Sequence, residues 1–390
     1  MARLVVIGLV ALHVLLATVL LADDSLHTGT FAERSDAARF HKIAIAPGEP
    51  YRDFEVEYPP ALVVTSKVLD DGSFPAFVDR LILVNLVADL GCALMLGLWG
   101  RKAVVSYLVL SAPLLPLVLT KLDVVAVAIA LAAVALVHRK RERLGGAVLG
   151  IAGLFKLWPA VLVVLWIASA RWRAVRWAVG TGAVGALMWM VVSGPDALWQ
   201  VITFRGARGW HVESLPGVAL ALFDSGPMRF EAGSWRVGTP GTVFGLILAV
   251  AMLAAAATVA TAFARSRRRG DNIDETGIPA AGVVAAVLAT ATLLSPQFIV
   301  WLLPWVAIAR NDGDVKTERL TLAVIIVTII ASVSYPPSQS DRLLAQVMYW
   351  VRNLVIAGIA IHAYRRLRAP THDRFKTRST SRTMADANAV

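Results

Sequence analysis

One cysteine, Cys92, stands in 390 residues, so no disulfide can close within the chain and nothing about an oxidising compartment follows. Cys92 lies inside an apolar run and reads as a small packing residue. Charge is also scarce. Asp, Glu, Lys and Arg together make up 17% of the chain, too little for a soluble protein whose surface must face water. An internal repeat is missing too, which argues against transporters built from repeated halves. What the chain has instead is apolar surface. Hydrophobic residues reach 57% and the mean hydropathy is +0.66, and the charges cluster between apolar runs. The net charge of +11 does not call for nucleic acid. Lys and Arg crowd short loops on one side of the proposed membrane and the C-terminal tail, as the positive-inside rule requires. The chain therefore reads as an all-α polytopic membrane protein of about a dozen transmembrane helices, with both termini cytoplasmic.

The first apolar run, Leu4 to Ala22, is long enough to span and is read as an uncleaved helix rather than a signal peptide. An acidic stretch, residues 23–77, forms the first large outer loop, in which Pro59-Pro60 opens a short helix. Runs at 81–99, 103–120 and 124–137 follow. A tight outer turn, Lys121-Leu122-Asp123, joins the last two. Two later runs are interrupted. Residues 147–155 and 160–170 flank Lys156-Leu157-Trp158-Pro159, and residues 280–294 and 298–309 flank Ser295-Pro296-Gln297. Neither half of either pair can cross lipid alone. Broken backbone of this kind is tolerated where helices are buried in protein or line a cavity. A second large outer loop covers 193–239. The transmembrane domain is assigned to residues 1–364, and a basic, disordered cytoplasmic tail to 365–390.

Candidate chemistry gathers on the outer side. The string Tyr51-Arg52-Asp53-Phe54-Glu55-Val56-Glu57, read as extended, would put Asp53, Glu55 and Glu57 on one side. With Asp36 it offers carboxylates able to take a proton from a sugar hydroxyl. Lys121 and Lys156 each sit at a break between apolar runs, where a cation snorkels or meets an anion. Asp123 is a simple partner for Lys121. Arg208, His211 and Glu213 lie in a loop rich in Gly, Arg and Trp that suits a phosphate or a sugar. Asp312-Gly313-Asp314 lies in an inner loop and reads as solvated. Asp89, in mid-helix, is expected to be paired internally or to line a cavity, and Arg352 near the outer end of the last helix has the same two readings.

Four strings, in order along the chain, resemble glycosyltransferase family 87, whose members have the GT-C fold. They are Asp36 with Gly48-Glu49-Pro50-Tyr51-Arg52-Asp53-Phe54 and Glu57-Tyr58-Pro59-Pro60; Lys121-Leu122-Asp123; Arg208-Gly209 through Glu213-Ser214; and Ser295-Pro296-Gln297 with Trp301 and Pro304. The resemblance implies a polyprenyl-phosphate sugar as donor, mannose or another pentose or hexose, and a glycolipid or glycan acceptor on the outer face of the plasma membrane. It implies inverting transfer without metal or cofactor. An Asp in the first outer loop would be the base: Asp36 by position, with Asp53 and Glu57 in reserve. Tyr51, Arg52, Lys121, Lys156, Arg208, His211, Glu213 and Gln297 would bind substrate or phosphate. Mannosyltransferases of the family tend to carry a His after the Ser-Pro, whereas residues 297–301 here contain none. The phosphate contact would then come from His211, Arg208 or Lys156. Competing readings from composition alone are a flippase for lipid-linked sugars and a non-catalytic membrane scaffold.

Overall fold

The computed structural model describes residues 2–33, 35–203, 209–223, 228–231, 234–238, 242–271, 273–333 and 342–369. The apolar runs form a bundle of helices. Arg3–Leu21, Arg101–Leu119, Trp172–Ser193, Gly245–Arg268 and Leu343–Arg368 are each long and apolar enough to cross a membrane. Phe74–Leu96 and Val315–Val333 are of similar length. At ~1.5 Å per residue, helices of about 20 residues match a hydrocarbon core of ~30 Å. Their outward faces expose Leu4, Ile7, Val87, Leu94, Val191 and Leu246, side chains that water would not tolerate in such density and lipid would.

Both interrupted runs break where proline and a polar residue meet. Glu142–Phe155 stops at Lys156, whose backbone is extended (φ −147°, ψ 143°). A 3-10 turn, Trp158–Leu162, then leads into Val163–Ala168. Ile278–Thr290 stops before an extended Ala291, and a 3-10 turn, Pro296–Trp301, leads into Leu303–Asn311. Pro159, Pro296 and Pro304 sit in first turns, where no N–H is needed. The breaks lie inside the protein: Trp158, Leu162, Phe298, Ile299 and Trp301 are all buried.

Close approach of backbones holds the first interrupted helix to its neighbour. A Cβ on Gly146 would fall 2.3 Å from the carbonyl oxygen of Ala174, and one on Gly150 would fall 2.8 Å from that of Ala178. Small residues four apart allow this contact between Glu142–Phe155 and Trp172–Ser193. Polar pairing fixes the first helix. His13 bonds Asp89 through Nδ1 (2.7 Å) and the Leu108 carbonyl through Nε2 (3.1 Å), while Tyr107 donates to Asp89 (2.8 Å). Asp89 is thus paired internally, as expected of a carboxylate in the bundle.

One end of the bundle is tied by ion pairs among the basic loops: Arg171 with Glu275 and Glu142, Arg269 with Asp271, and Arg310 with Glu318. Asp312-Gly313-Asp314 belongs to this end, where Asp312 and Gly313 are exposed, in keeping with the solvated-loop reading, and Asp314 departs from it. Asp314 is buried, accepts from Thr317 Oγ1 at 2.7 Å and meets His362 at 3.2 Å. The last helix runs to Arg368 and so takes in the first four residues of the expected tail, and residues 370–390 lie outside the described residues. The other end carries the two large loops, the 120–122 turn and both breaks. In the second loop a small antiparallel sheet appears that apolar periodicity did not signal. Its strands are β1 (Trp210–His211), β2 (Arg229–Glu231) and β3 (Ser234–Val237), in the order β1-β3-β2. It pairs His211 with Arg236.

Candidate active site

The loop end gathers charges from segments far apart in the chain, and each is placed by a local cause. Ser35 caps the helix Asp36–Ile45, its Oγ accepting from the Ala38 N–H at 3.1 Å. Asp36 therefore occupies the first turn, where the helix dipole favours a carboxylate. One turn further, Arg39 lies 3.6 Å from Asp36 Oδ1 and also donates to the buried Glu57. Its guanidinium stands 5.8 Å over the Tyr58 ring. The Glu57-Tyr58-Pro59-Pro60 string thus ends in a helix start at Pro60 and holds Arg39 from below.

The turn at 120–122 presents its two charges in different directions. Lys121 Nζ donates to Asp36 Oδ2 at 2.6 Å. Asp123, in the first turn of Asp123–His138, does not pair with Lys121, contrary to the expectation from proximity in sequence. It accepts instead from Lys156 Nζ at 2.7 Å and from Trp301 Nε1 at 2.9 Å. Leu122 between them is fully buried and anchors the turn. The two chain breaks meet here. Lys156 also stands 5.8 Å over the Phe298 ring, and Trp301 stacks on Trp158 at 4.9 Å and on Phe298 at 4.2 Å. Gln297, bonded to Ser295, donates through Nε2 to Asp36 Oδ2 at 3.3 Å.

Burial by itself would raise the Asp36 carboxyl. The ammonium of Lys121, then the guanidinium of Arg39, and more weakly Lys156, outweigh it and hold the group at about 2. Asp36 is therefore ionised at neutral pH and surrounded by cations.

The second loop brings His211 and Glu213 near this cluster. His211 is buried, and its ring lies close enough to the Leu294 carbonyl and to Asp36 to feel both. Burial, with Arg236 and Arg352 nearby, lowers its pKa to about 3, so the ring is neutral. Its Nδ1 has no hydrogen-bond partner among the described residues. Glu213 is gripped by the last helix: Arg352 donates to its carboxylate at 2.6 Å and to its carbonyl at 2.8 Å, and Asn353 donates to the same carbonyl at 2.9 Å.

Of the residues singled out from sequence, Asp36, Lys121 and Gln297 are in direct contact. Lys156 adjoins them through Asp123, Glu57 through Arg39, and His211 and Glu213 by electrostatic proximity. Asp53 stands apart. The segment before Glu57 is a turn rather than an extended strand: Tyr51 has a positive φ of 72° and Pro50 bridges to Phe54. Asp53 and Glu55 are consequently exposed while Glu57 is buried, so the three carboxylates do not share a side. Asp53 Oδ2 accepts from the Glu49 N–H at 2.6 Å, under Gly48, whose φ of +92° and lack of a side chain leave room for it. Tyr51 serves the same turn, donating to the Tyr58 carbonyl at 2.6 Å. Arg52 is exposed. Arg208 lies outside the described residues. Sequence reading missed Arg39, whose spacing of three from Asp36 on a helix was the available signal. It also missed the joining role of Asp123.

The sequence profile of glycosyltransferase family 87 matches residues 57–296, well over half of the chain. The matched span begins at the buried Glu57, includes both lysines and the second loop, and ends at Pro296, beside Gln297. This multi-pass membrane protein belongs to glycosyltransferase family 87. No match was found among curated proteins.

Proposed function

We propose that this chain moves a sugar, mannose or another hexose or pentose, from a polyprenyl-phosphate donor to a hydroxyl of a glycolipid or glycan, with inversion at the anomeric carbon. The observation that carries the proposal is the single cluster in which the ionised, partly exposed Asp36 meets the cations Lys121 and Arg39, with Lys156 beside it. Asp36 accepts the proton of the acceptor hydroxyl. The oxygen bonds to the anomeric carbon as the bond from that carbon to the donor phosphate breaks. The electron pair stays on the phosphate, which gains a negative charge. Lys121 and Lys156 stabilise that charge where it develops. Protein side chains supply the acid–base and electrostatic work in this reading.

The basic loops lie at the end opposite the cluster, which supports a site on the outer face of the plasma membrane with both termini cytoplasmic. The test is transfer from a panel of radiolabelled polyprenyl-phosphate sugars in membranes carrying wild type or Asp36→Asn. Transfer by the wild type, reduced at least ~1000-fold in the variant at unchanged protein level, is expected if Asp36 is the base. Equal transfer by both would remove Asp36 from that role.

A further inference from the structure

The two oxygens of Asp36 are used differently. Oδ2 is held, accepting from Lys121 Nζ at 2.6 Å and from Gln297 Nε2 at 3.3 Å. Oδ1 accepts no hydrogen bond from any described residue. It faces Arg39 Nη1 at 3.6 Å, which is longer than a hydrogen bond. Arg39 is gripped elsewhere: its Nη2 donates to the buried Glu57, and its guanidinium stands 5.8 Å over the Tyr58 ring. The Asp36 and Arg39 side chains keep 16% and 26% of their surface exposed, so a ligand can reach the gap between them.

Resting on the reading above, we propose that Arg39 binds the acceptor: the reacting sugar hydroxyl sits between Arg39 Nη1 and Asp36 Oδ1, accepting from the first and donating to the second. One oxygen can lie ~2.8 Å from each of two atoms at this separation. A hydroxyl suits the gap because it has one proton for the carboxylate and two lone pairs. One lone pair accepts from the guanidinium and the other attacks the anomeric carbon. Inversion asks for the same side of Asp36. The entering and leaving oxygens lie on opposite faces of the anomeric carbon, so the hydroxyl approaches away from the cations that receive the phosphate. Lys121 holds Oδ2, which leaves Oδ1 for the acceptor. As the proton passes to Oδ1, the oxygen bonds to carbon and the bond to phosphate breaks. Arg39 keeps its own protons throughout, since a guanidinium does not deprotonate in proteins. Glu57 acts only through Arg39 and is a positioning residue.

The experiment is steady-state transfer by the full chain in detergent. The donor is the polyprenyl-phosphate sugar that serves the wild type. The acceptor is a series of n-octyl hexosides or a dilution series of membrane lipid extract, whichever the wild type glycosylates. KM is measured for each substrate with the other saturating. Arg39→Lys keeps a cation beside Asp36 but lacks the planar fork that reaches Glu57 and the hydroxyl together. Loss of one charge-assisted hydrogen bond should raise the acceptor KM about ten-fold or more, with the donor KM changed by less than about two-fold. Glu57→Gln loosens Arg39 and should give the same split by a smaller factor, which keeps the test open if Arg39→Lys fails to fold. A donor KM that rises as far as the acceptor KM, or further, makes Arg39 a phosphate ligand and overturns the assignment. A fall in kcat with both KM values unchanged also overturns it, because Arg39 would then act on Asp36 alone. Either result leaves the transferase reading intact. Absence of transfer by wild type from every polyprenyl-phosphate sugar overturns both.

Discussion

Replacing Asp123 by Asn tests whether the buried Lys156–Asp123 pair organises the site. The change is nearly isosteric, and the Asn oxygen can still accept from Trp301. What is lost is the counter-charge 2.7 Å from Lys156 Nζ. Both side chains are almost wholly inaccessible, so water cannot replace the lost partner, and stranding one charge of a buried pair costs about 3–5 kcal/mol. Asp36 still attracts Lys156 and offsets part of the loss, so the lower half of that range, about 3–4 kcal/mol, is expected. At about 2 °C per kcal/mol, the unfolding midpoint should fall by roughly 6–8 °C. The protein supplies its own probe: Cys92 is its only cysteine and is fully buried, so a thiol-reactive fluorophore reports unfolding of the bundle directly. Asp123→Asn with Lys156→Met removes both charges and should recover at least half of the loss. A midpoint unchanged in Asp123→Asn, or a double variant no better than the single, would refute the claim that a desolvated ion pair holds the two breaks together.

Further outcomes follow from the packing and charge. Gly146→Ala drives a Cβ to 2.3 Å from the Ala174 carbonyl and should lower stability by about 1–3 kcal/mol. Gly180→Ala, with nothing within 4 Å, should cost nothing, and the same thiol assay compares them. His211 has a folded pKa of about 3, below its unfolded value of ~6.5. Its contribution to stability is therefore complete above pH ~6.5 and is lost as pH falls towards 3. In His211→Gln, thermal unfolding followed by tryptophan fluorescence should show a shallower decline with acid between those limits, and an identical slope would contradict the buried neutral ring.

The sequence by itself determined the membrane helices of this protein and where two of them break. Apolar runs of about 20 residues can satisfy their backbone in lipid only as helices, and Pro159 and Pro296 beside Lys156 and Gln297 fixed both breaks. The acidic and basic loops separated the two ends. Lys121 and Lys156 were legible because a charge next to an apolar run needs a reason, and Asp36 by its position in the first outer loop under the family resemblance. Their partners were not legible. Neighbours in sequence suggested Lys121 with Asp123, yet the buried Leu122 between them turns the two side chains apart, and Asp123 finds Lys156 and Trp301 instead. Alternation suggested one face for Asp53, Glu55 and Glu57, but a turn at Tyr51 with positive φ buries only Glu57. Arg352 meets Glu213 across 139 residues. Ion pairs form between whatever side chains the folded helices bring within a few ångströms, and that distance is a property of how the bundle packs, which local pattern does not encode.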